Sequence, residues 1–544
     1  MNHNNLSDSN SQRFDWSLPY PSQREAVLAR NIVATSQPLA AQAGLRMMQQ
    51  GGNAIDAAVA TAIALTVLEP TANGIGSDAF AIVWAGGGLH GLNASGRAPH
   101  ALNLNDYAGM KEVPRVGWAG VTTPGAVSAW VALSEKFGSL PFETLVQPAI
   151  EYAERGYHVT RQNALGWQRG IETYRERPDW AATFAPKGKA PQPGEFVQLK
   201  DHARTLQSIA RSKGEAFYRG ELARLIATHA KETGGVLSER DLAQHEAFWS
   251  RPLAVDFHDC TLHELPPNGQ GIIALIALGM LRHHRLDELD IDSPQSLHLQ
   301  IEAMKLAFAD GHRYVADVDA MDVDPATLVD PAYLESRSQM IDRNTAGDPQ
   351  HGQPRLGGTV YLTTADNEGN MVSYIQSNYT GFGSGVVVPG TGIALQNRGC
   401  CFNLEDGHVN QIGPGKRPYH TIIPAFVTDR TAENDQPLMS FGVMGGFMQP
   451  QGHAQVLTRL AVARQNPQAA IDAPRFRVEA GRRVIIEPGF QPDVYDTLRG
   501  MGHDVEIAPE RTVQHGGGQA IYRLDEHGWF GASDARRDGQ AVGF

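Results

Sequence analysis

Thr359 follows two glycines, Gly357 and Gly358, and opens an alternating run, which puts a hydroxyl at the first position of a strand. A threonine hydroxyl attacks an amide only when a base takes its proton. The nearest base a chain can offer is a free α-amine on the same residue, with an ordinary pKa near about 8. An internal threonine has no such amine. A break between Gly358 and Thr359 would create one, and bare glycine backbone ahead of the bond tolerates the strained geometry that a break requires. Gly-Gly-Thr before a strand is also an ordinary hairpin, so the local sequence leaves both readings open.

The elements around this hydroxyl follow from periodicity. From Thr359 to Ala365 the side chains alternate, with Thr359, Tyr361 and Thr363 on one face and Val360, Leu362 and Thr364 on the other. Asp366 to Gly369 supply a turn, and Met371 to Ser377 reads as the return strand. Further strands are expected around Ile393–Asn397 and Gly442–Met444, and helices must cover both faces of such sheets to bury them.

Upstream, Leu39–Gln50 has a helical pattern ended by Gly51 and Gly52, while Ile55–Leu68 is apolar on nearly every face. That second run falls short of the roughly 20 residues a bilayer needs, so it reads as a buried core helix. Ala79–Trp84 and Gly88–Asn93 form a hairpin about Gly86 and Gly87. A helix is expected from a Thr123 cap and Pro124 to about Phe137, and another over Phe142–Gly156. Residues 160–250 read as helical, charged and peripheral. Gln295–Ala316 is a long helix carrying His298, Asp310 and His312; the spacing is not that of HExxH, so these read as surface polar residues, as do His283 and His284. No metal site or cofactor is expected.

With 42% hydrophobic residues in 544, the chain can bury a large core, and its net charge of −13 leaves no basic footprint for nucleic acid. Residues 1–24 are polar, read as a flexible tail, and lack the apolar run of a secretory signal. The expectation is a cytoplasmic protein with no membrane partner. Cys260, Cys400 and Cys401 imply no disulfide framework, since adjacent cysteines seldom bridge. The stretch at about 340–358 is rich in Gly, Pro and polar residues, and is expected to be mobile once a cut has been made beside it.

From about Glu25 to the last residue the sequence resembles the γ-glutamyltranspeptidase family of self-cleaving N-terminal nucleophile hydrolases. The segments that carry the likeness are QGGNAIDAAVATAIALTVLEP, TPGAVSAW, GPGKRP, VMGG and GASDARRDG, together with the stretch that begins at Thr359. The resemblance implies an α+β fold, a four-layer αββα sandwich built from two self-cleaved pieces: a large one, residues 25–358 after the tail, and a small catalytic one, 359–544. It implies a proenzyme cut between Gly358 and Thr359, with a small-molecule amide as substrate. A dimer of heterodimers is an assembly compatible with this.

The family's oxyanion glycines match Gly445 and Gly446, and its hydroxyl residue that bonds the nucleophile's amine matches Ser377. Tyr379 stands where a branch of the family has Asn, so a second oxyanion donor would be a phenol. The amino-acid clamp departs from the pattern. The carboxylate-binding arginine falls on Ser95, with Arg97 two residues on as the expected replacement. The ammonium-binding aspartate falls on Cys401, and the serine pair on His420 and Thr421. A pocket lined by Arg97, Arg398 and His420, with no acid, favours an acyl group that bears a carboxylate. The short stretch between Phe402 and Gly413 suggests an open pocket.

Two enzymatic functions are therefore expected: hydrolysis or transfer of the γ-glutamyl group of glutathione-like amides, or cleavage of a small carboxylate-bearing amide, oxamate-like or glutaryl-like. A non-catalytic binding protein on the same fold would show no cut at Thr359. A cysteine hydrolase using Cys400 or Cys401 lacks a His and acid at recognisable spacing.

Overall fold

The structure, a computed structural model, describes residues 24–349, 358–432 and 435–544. Of the sequence-predicted tail only Arg24 is described, and of the stretch at about 340–358 residues 350–357 lie outside the described residues.

Among the described residues the centre is a pair of seven-stranded antiparallel sheets. One runs Gln540–Gly543, Ile32–Thr35, Gly358–Ala365, Met371–Tyr379, Asp78–Ala85, Gly88–Asn93 and Phe248–Ser250, which places the strand of Thr359 third of seven. The other runs Val27–Ala29, Trp529–Ser533, Gly517–Arg523, Gln436–Met444, Ala425–Asp429, Cys260–Glu264 and Leu253–Phe257. Their inner faces share a core that includes Ile32, Phe80, Ile82, Tyr361, Ile375, Phe426 and Ile521. The alternation of the Thr359 strand is realised as read: Tyr361 faces the second sheet, while Val360 and Leu362 join the outer core under the helices.

Helices cover both outer faces. Pro38–Gln49, Ala54–Leu68, Ala126–Phe137 and Phe142–Arg155 pack on the first sheet. Gly271–Leu281, Pro294–Tyr314, Met448–Ala461 and Pro467–Asp472 pack on the second. Every residue of Ala54–Leu68 is buried, as a sequence apolar but for Asp56, Thr61 and Thr66 requires. Asn53 caps it by accepting from the N–H groups of Ile55 and Asp56 at 2.9 and 3.0 Å. The same helix start is tied to the hairpin of Thr359: the Ala54 N–H donates to Asp366 Oδ2 at 2.7 Å, and the Thr364 hydroxyl donates to Ala54 O at 2.7 Å. The outer helix layer thereby fixes the hairpin that carries the nucleophile.

Four readings are corrected. The helix expected from Thr123 begins at Ala126, because Gly125 N–H and Ala126 N–H donate to Ser77 O at 2.9 and 2.8 Å and draw the backbone to the first sheet. Residues 160–250 are helical but not merely peripheral, since Trp167, Leu206, Ile209 and Ile226 enter the same core as Ala54–Leu68. Only Ile393–Ala394 of the expected 393–397 strand forms; it pairs with Val387–Val388 in a small hairpin outside the two main sheets. His298 and His284 are buried rather than superficial.

Candidate active site

Thr359 lies at an irregularity of its own ladder. Gly358 pairs with Tyr379 and Val360 with Gln376, so the register shifts across Thr359, with two residues of the return strand, Ser377 and Asn378, opposite it. The side chain is almost wholly buried, and its Oγ1 is 3.2 Å from Ser377 Oγ, which accepts the Tyr379 N–H at 2.8 Å. Ser377 is thus held in hydrogen-bond reach of the Thr359 hydroxyl, whereas the resemblance implied a bond to the nucleophile's amine.

The facing strand, Gln436–Met444, runs so that Thr363 Oγ1 meets Ser440 Oγ and the Tyr361 ring lies on Gly442. The same two-residue step carried once more would set Thr359 opposite Met444, which is followed in sequence by Gly445 and Gly446. Both glycines have positive φ, 142° and 61°, and they lead straight into the helix Met448–Ala461. A side chain at Gly445 would press on Gly516 Cα at 3.2 Å. Gln270 fixes the turn by donating from Nε2 to Gly446 O at 2.9 Å and to Thr421 O at 2.7 Å, while its Oε1 accepts from Tyr419 OH at 2.8 Å. A glycine pair held at a helix N-terminus suits an oxyanion.

Arg398 is the buried cation of the site. It is 0% exposed; its Nη1 donates to Thr421 Oγ1 at 2.6 Å, and its guanidinium stacks on the Tyr379 ring at 4.6 Å. Nε and Nη2 have no hydrogen-bond partner. Cys401 Sγ lies 3.9 Å from Nη1, and the Tyr379 phenol is in contact with the same thiol. Burial pushes the Tyr379 phenol well above its ordinary range, so it stands as a neutral donor. His420 is fully buried with Nε2 3.1 Å from Asp78 Oδ2; burial and then Arg398 hold it well below its ordinary range, and it is neutral.

Arg97 is not placed as expected. Its Nη1 donates to Asp317 Oδ2 and to Gly415 O, both at 2.9 Å, and Nη2 is 3.6 Å from Asp319. The backbone of residues 96–97 is pinned by Thr123 N–H donating to Arg97 O at 3.0 Å, which turns the side chain toward those acids. Ser95 is likewise engaged, its hydroxyl donating to Asn93 Oδ1 at 2.7 Å.

A cavity of about 710 Å³ opens in front of Tyr379 and Cys401. Tyr419, Phe447 and His312 form an aromatic wall, with ring centroids 5.6 to 6.0 Å apart. Residues from Phe402 to Asn410 form another wall, so the short 402–413 stretch shapes the cavity rather than only leaving it open. Contrary to the acid-free lining expected, Glu112, Asp322, Glu405 and Asp406 face the cavity alongside Lys111 and Arg313. Arg97, Arg398 and His420 do not line it; Arg398 stands behind Tyr379 and Cys401.

Among the described residues, one buried cluster offers metal-type ligands, namely His298, Glu302 and His503, with ligand atoms within 4.8 Å of one another. Lys305 already fills the cation's place. Its Nζ donates to Glu302 Oε1 at 2.8 Å, to Gly347 O at 3.1 Å and to His503 Nδ1 at 3.3 Å. His503 Nε2 then donates to His298 Nδ1 at 2.8 Å, and His298 Nε2 donates to Asp342 O at 2.7 Å. Both ring lone pairs are used, so the donor set suits protons rather than a metal.

Sequence reasoning missed Gln270, Tyr419 and Phe447, which no local pattern marks. It also missed Asp78, although an acid opening an otherwise apolar strand was a visible signal.

A four-layer αββα sandwich with a hydroxyl residue at a strand start opposite a strand-to-helix glycine pair is the fold of the N-terminal nucleophile hydrolases. The gamma-glutamyltranspeptidase sequence profile matches residues 40–544, and the chain belongs to that family of hydrolases and transferases. It is 36% identical over 530 residues to an oxamate amidohydrolase proenzyme of Klebsiella pneumoniae, covering 95% of this chain and 99% of the relative. It is 33% identical over 529 residues to a glutathione hydrolase-like proenzyme, YwrD, of Bacillus subtilis, covering 96% and 99%. Among solved structures, a cephalosporin acylase from Bacillus halodurans superposes with a TM-score of 0.92 at 48% identity, covering 97% of this chain and 99% of that one.

Proposed function

We propose that the chain is a self-processing threonine amidohydrolase. It cuts itself between Gly358 and Thr359, and then cleaves amides whose acyl group ends in a carboxylate, of oxamate-like or glutaryl-like type. The observation that carries the reading is Arg398. A fully buried guanidinium with two unpartnered nitrogens, stacked on Tyr379 beside the nucleophile's hairpin, calls for an anion to complete it, and a substrate carboxylate reaches it from the cavity by displacing the Tyr379 ring or the Cys401 side chain that stand in front of it. Cys401 stands beside that cation, at the position the resemblance gives to the aspartate that meets an ammonium, and a thiol gives an ammonium no counter-charge. Names among the relatives, an oxamate amidohydrolase and a cephalosporin acylase, agree with amide cleavage outside the γ-glutamyl class.

In processing, Thr359 Oγ adds to the Gly358 carbonyl, the peptide bond shifts from nitrogen to oxygen, and water cleaves the ester. The α-amine of Thr359 is then free as its own base. In turnover that amine takes the hydroxyl proton and the oxygen adds to the substrate amide. The N–H groups of Gly445 and Gly446 meet the oxyanion, each worth about 3 kcal/mol. The protonated amine of the leaving group departs, and water or another amine takes the acyl group from Thr359. Ser377 holds the nucleophile through its hydroxyl.

A second reading, γ-glutamyl hydrolysis or transfer, is favoured by the carboxylates on the cavity wall. Glu405 or Asp406 in particular would have to reach the α-ammonium. Two experiments test the proposal. Thr359→Ala should run as one band near 59 kDa on a denaturing gel with no amidase activity, whereas the native chain gives two bands. A panel of oxamate, glutaryl amides, glutathione and a neutral acyl anilide then ranks the acyl groups. Efficient cutting of the alanine variant, or equal rates with neutral and carboxylate-bearing acyl groups, would remove the proposal.

A further inference from the structure

Asp78 has no part in the steps above, yet it is paired in the sheet with the strand that carries Ser377. It opens the strand Asp78–Ala85, and its partner across the ladder is Ser377, on which the Thr359 hydroxyl rests. The carboxyl is fully buried. Oδ1 accepts the Gly96 N–H at 3.3 Å and Oδ2 lies 3.1 Å from His420 Nε2, while His420 Nδ1 accepts the Ile422 N–H at 3.4 Å. His420 therefore carries its proton on Nε2 and donates it to Asp78.

The charged and titratable groups around Asp78 come from three elements. Arg398 comes from the turn Arg398–Cys401, Arg417 and His420 from the loop before Thr421, and the neutral Tyr218 phenol from the helical layer. Arg398 exerts the strongest attraction of these, with Arg417 behind it, itself beside Arg97. With no ligand, Asp78 offsets the charge of Arg398 only when it is ionised, and no direct hydrogen bond joins the two. A carboxylate arriving on Arg398 would leave a second negative charge out of water, which is strongly unfavourable unless one of the two is protonated.

We propose that Asp78, held by His420, is a specificity-determining proton acceptor: when a carboxylate binds Arg398, Asp78 takes up one proton, and the preference for carboxylate-bearing acyl groups weakens as pH rises. This rests on Arg398 being the anion anchor. Burial already pushes the Asp78 carboxyl up to about 7 against the pull of Arg398, and engagement of Arg398 by a substrate raises it further. Below that value Asp78 is protonated with and without ligand, so affinity is flat. Above it each binding event must recruit a proton, and affinity falls by up to about tenfold per pH unit until the higher value in the complex is passed.

The test uses the processed enzyme and free glutarate as the probe. Its inhibition constant should be flat from pH 5.5 to about 6.5 and rise by roughly tenfold or more between pH 7 and 8.5. Calorimetry in two buffers of different ionisation heat should show about half to one proton taken up at pH 7.5. Asp78→Asn imitates the protonated state, so it should bind glutarate more tightly than the native enzyme at pH 8.5 and lose the pH dependence. A residue with a purely structural role would give weaker binding instead. A flat native profile with no proton uptake overturns the proposal while the Arg398 reading stands. If Arg398→Gln leaves the preference for glutaryl over neutral acyl groups unchanged, the reading beneath it has failed instead.

Discussion

Replacing Arg398 by glutamine removes the full positive charge that stacks on Tyr379, and keeps a neutral donor for Thr421. In the proposed complex the two unpartnered nitrogens, Nε and Nη2, make charge-assisted bonds to the acyl carboxylate. Truncating one partner of such a buried charged pair costs about 2 to 5 kcal/mol, and the retained amide brings the expectation to about 2 to 4. That corresponds to roughly 30- to 1000-fold in kcat/KM. Asp78 loses its nearest counter-charge in the variant and is held protonated by burial, so no unpaired charge is left in the core. The assay compares glutaryl p-nitroanilide with butyryl p-nitroanilide, which has a similar chain but no carboxylate. The glutaryl substrate should lose the full factor while the butyryl one changes less than about threefold. An equal loss on both would mean that Arg398 shapes the site without binding the acyl group, and no loss on either would refute its role.

Cys401→Asp should raise kcat/KM for γ-glutamyl anilide relative to glutaryl anilide by about tenfold, by giving the α-ammonium a partner beside Arg398; a ratio unchanged from the native enzyme would place the amino group elsewhere. Arg97→Ala should leave the glutaryl-to-butyryl ratio within about twofold, because its guanidinium serves Asp317 and Gly415 outside the cavity; a selective loss on glutaryl would return Arg97 to the site. Thr359→Ser should still produce both pieces, more slowly than the native chain in a time course on denaturing gels, since a serine hydroxyl keeps the attacking atom; complete failure to cut would mean that the methyl group is needed to aim it.

Much of the architecture was legible because it depends on local periodicity. The run Ile55–Leu68, apolar on nearly every face and too short to cross a bilayer, read as a buried helix, and alternation around Tyr361 assigned both faces of the nucleophile strand before its partners were known. The hydroxyl of Thr359 and the glycine pair Gly445–Gly446 were singled out by the family resemblance, since each by itself reads as an ordinary hairpin or turn. Pairings between distant segments were not readable. Arg97 looked like the site's cation because it stands two residues from Ser95, yet Asp317, 220 positions away, claims it. His298 looked superficial until His503 and Lys305 closed around it. Arg398 acquires its meaning only when Thr421, Tyr379 and the carboxyl of Asp78 converge on it from three parts of the chain. Charge is compensated through space, so the tertiary structure alone decided which partners each buried ion has.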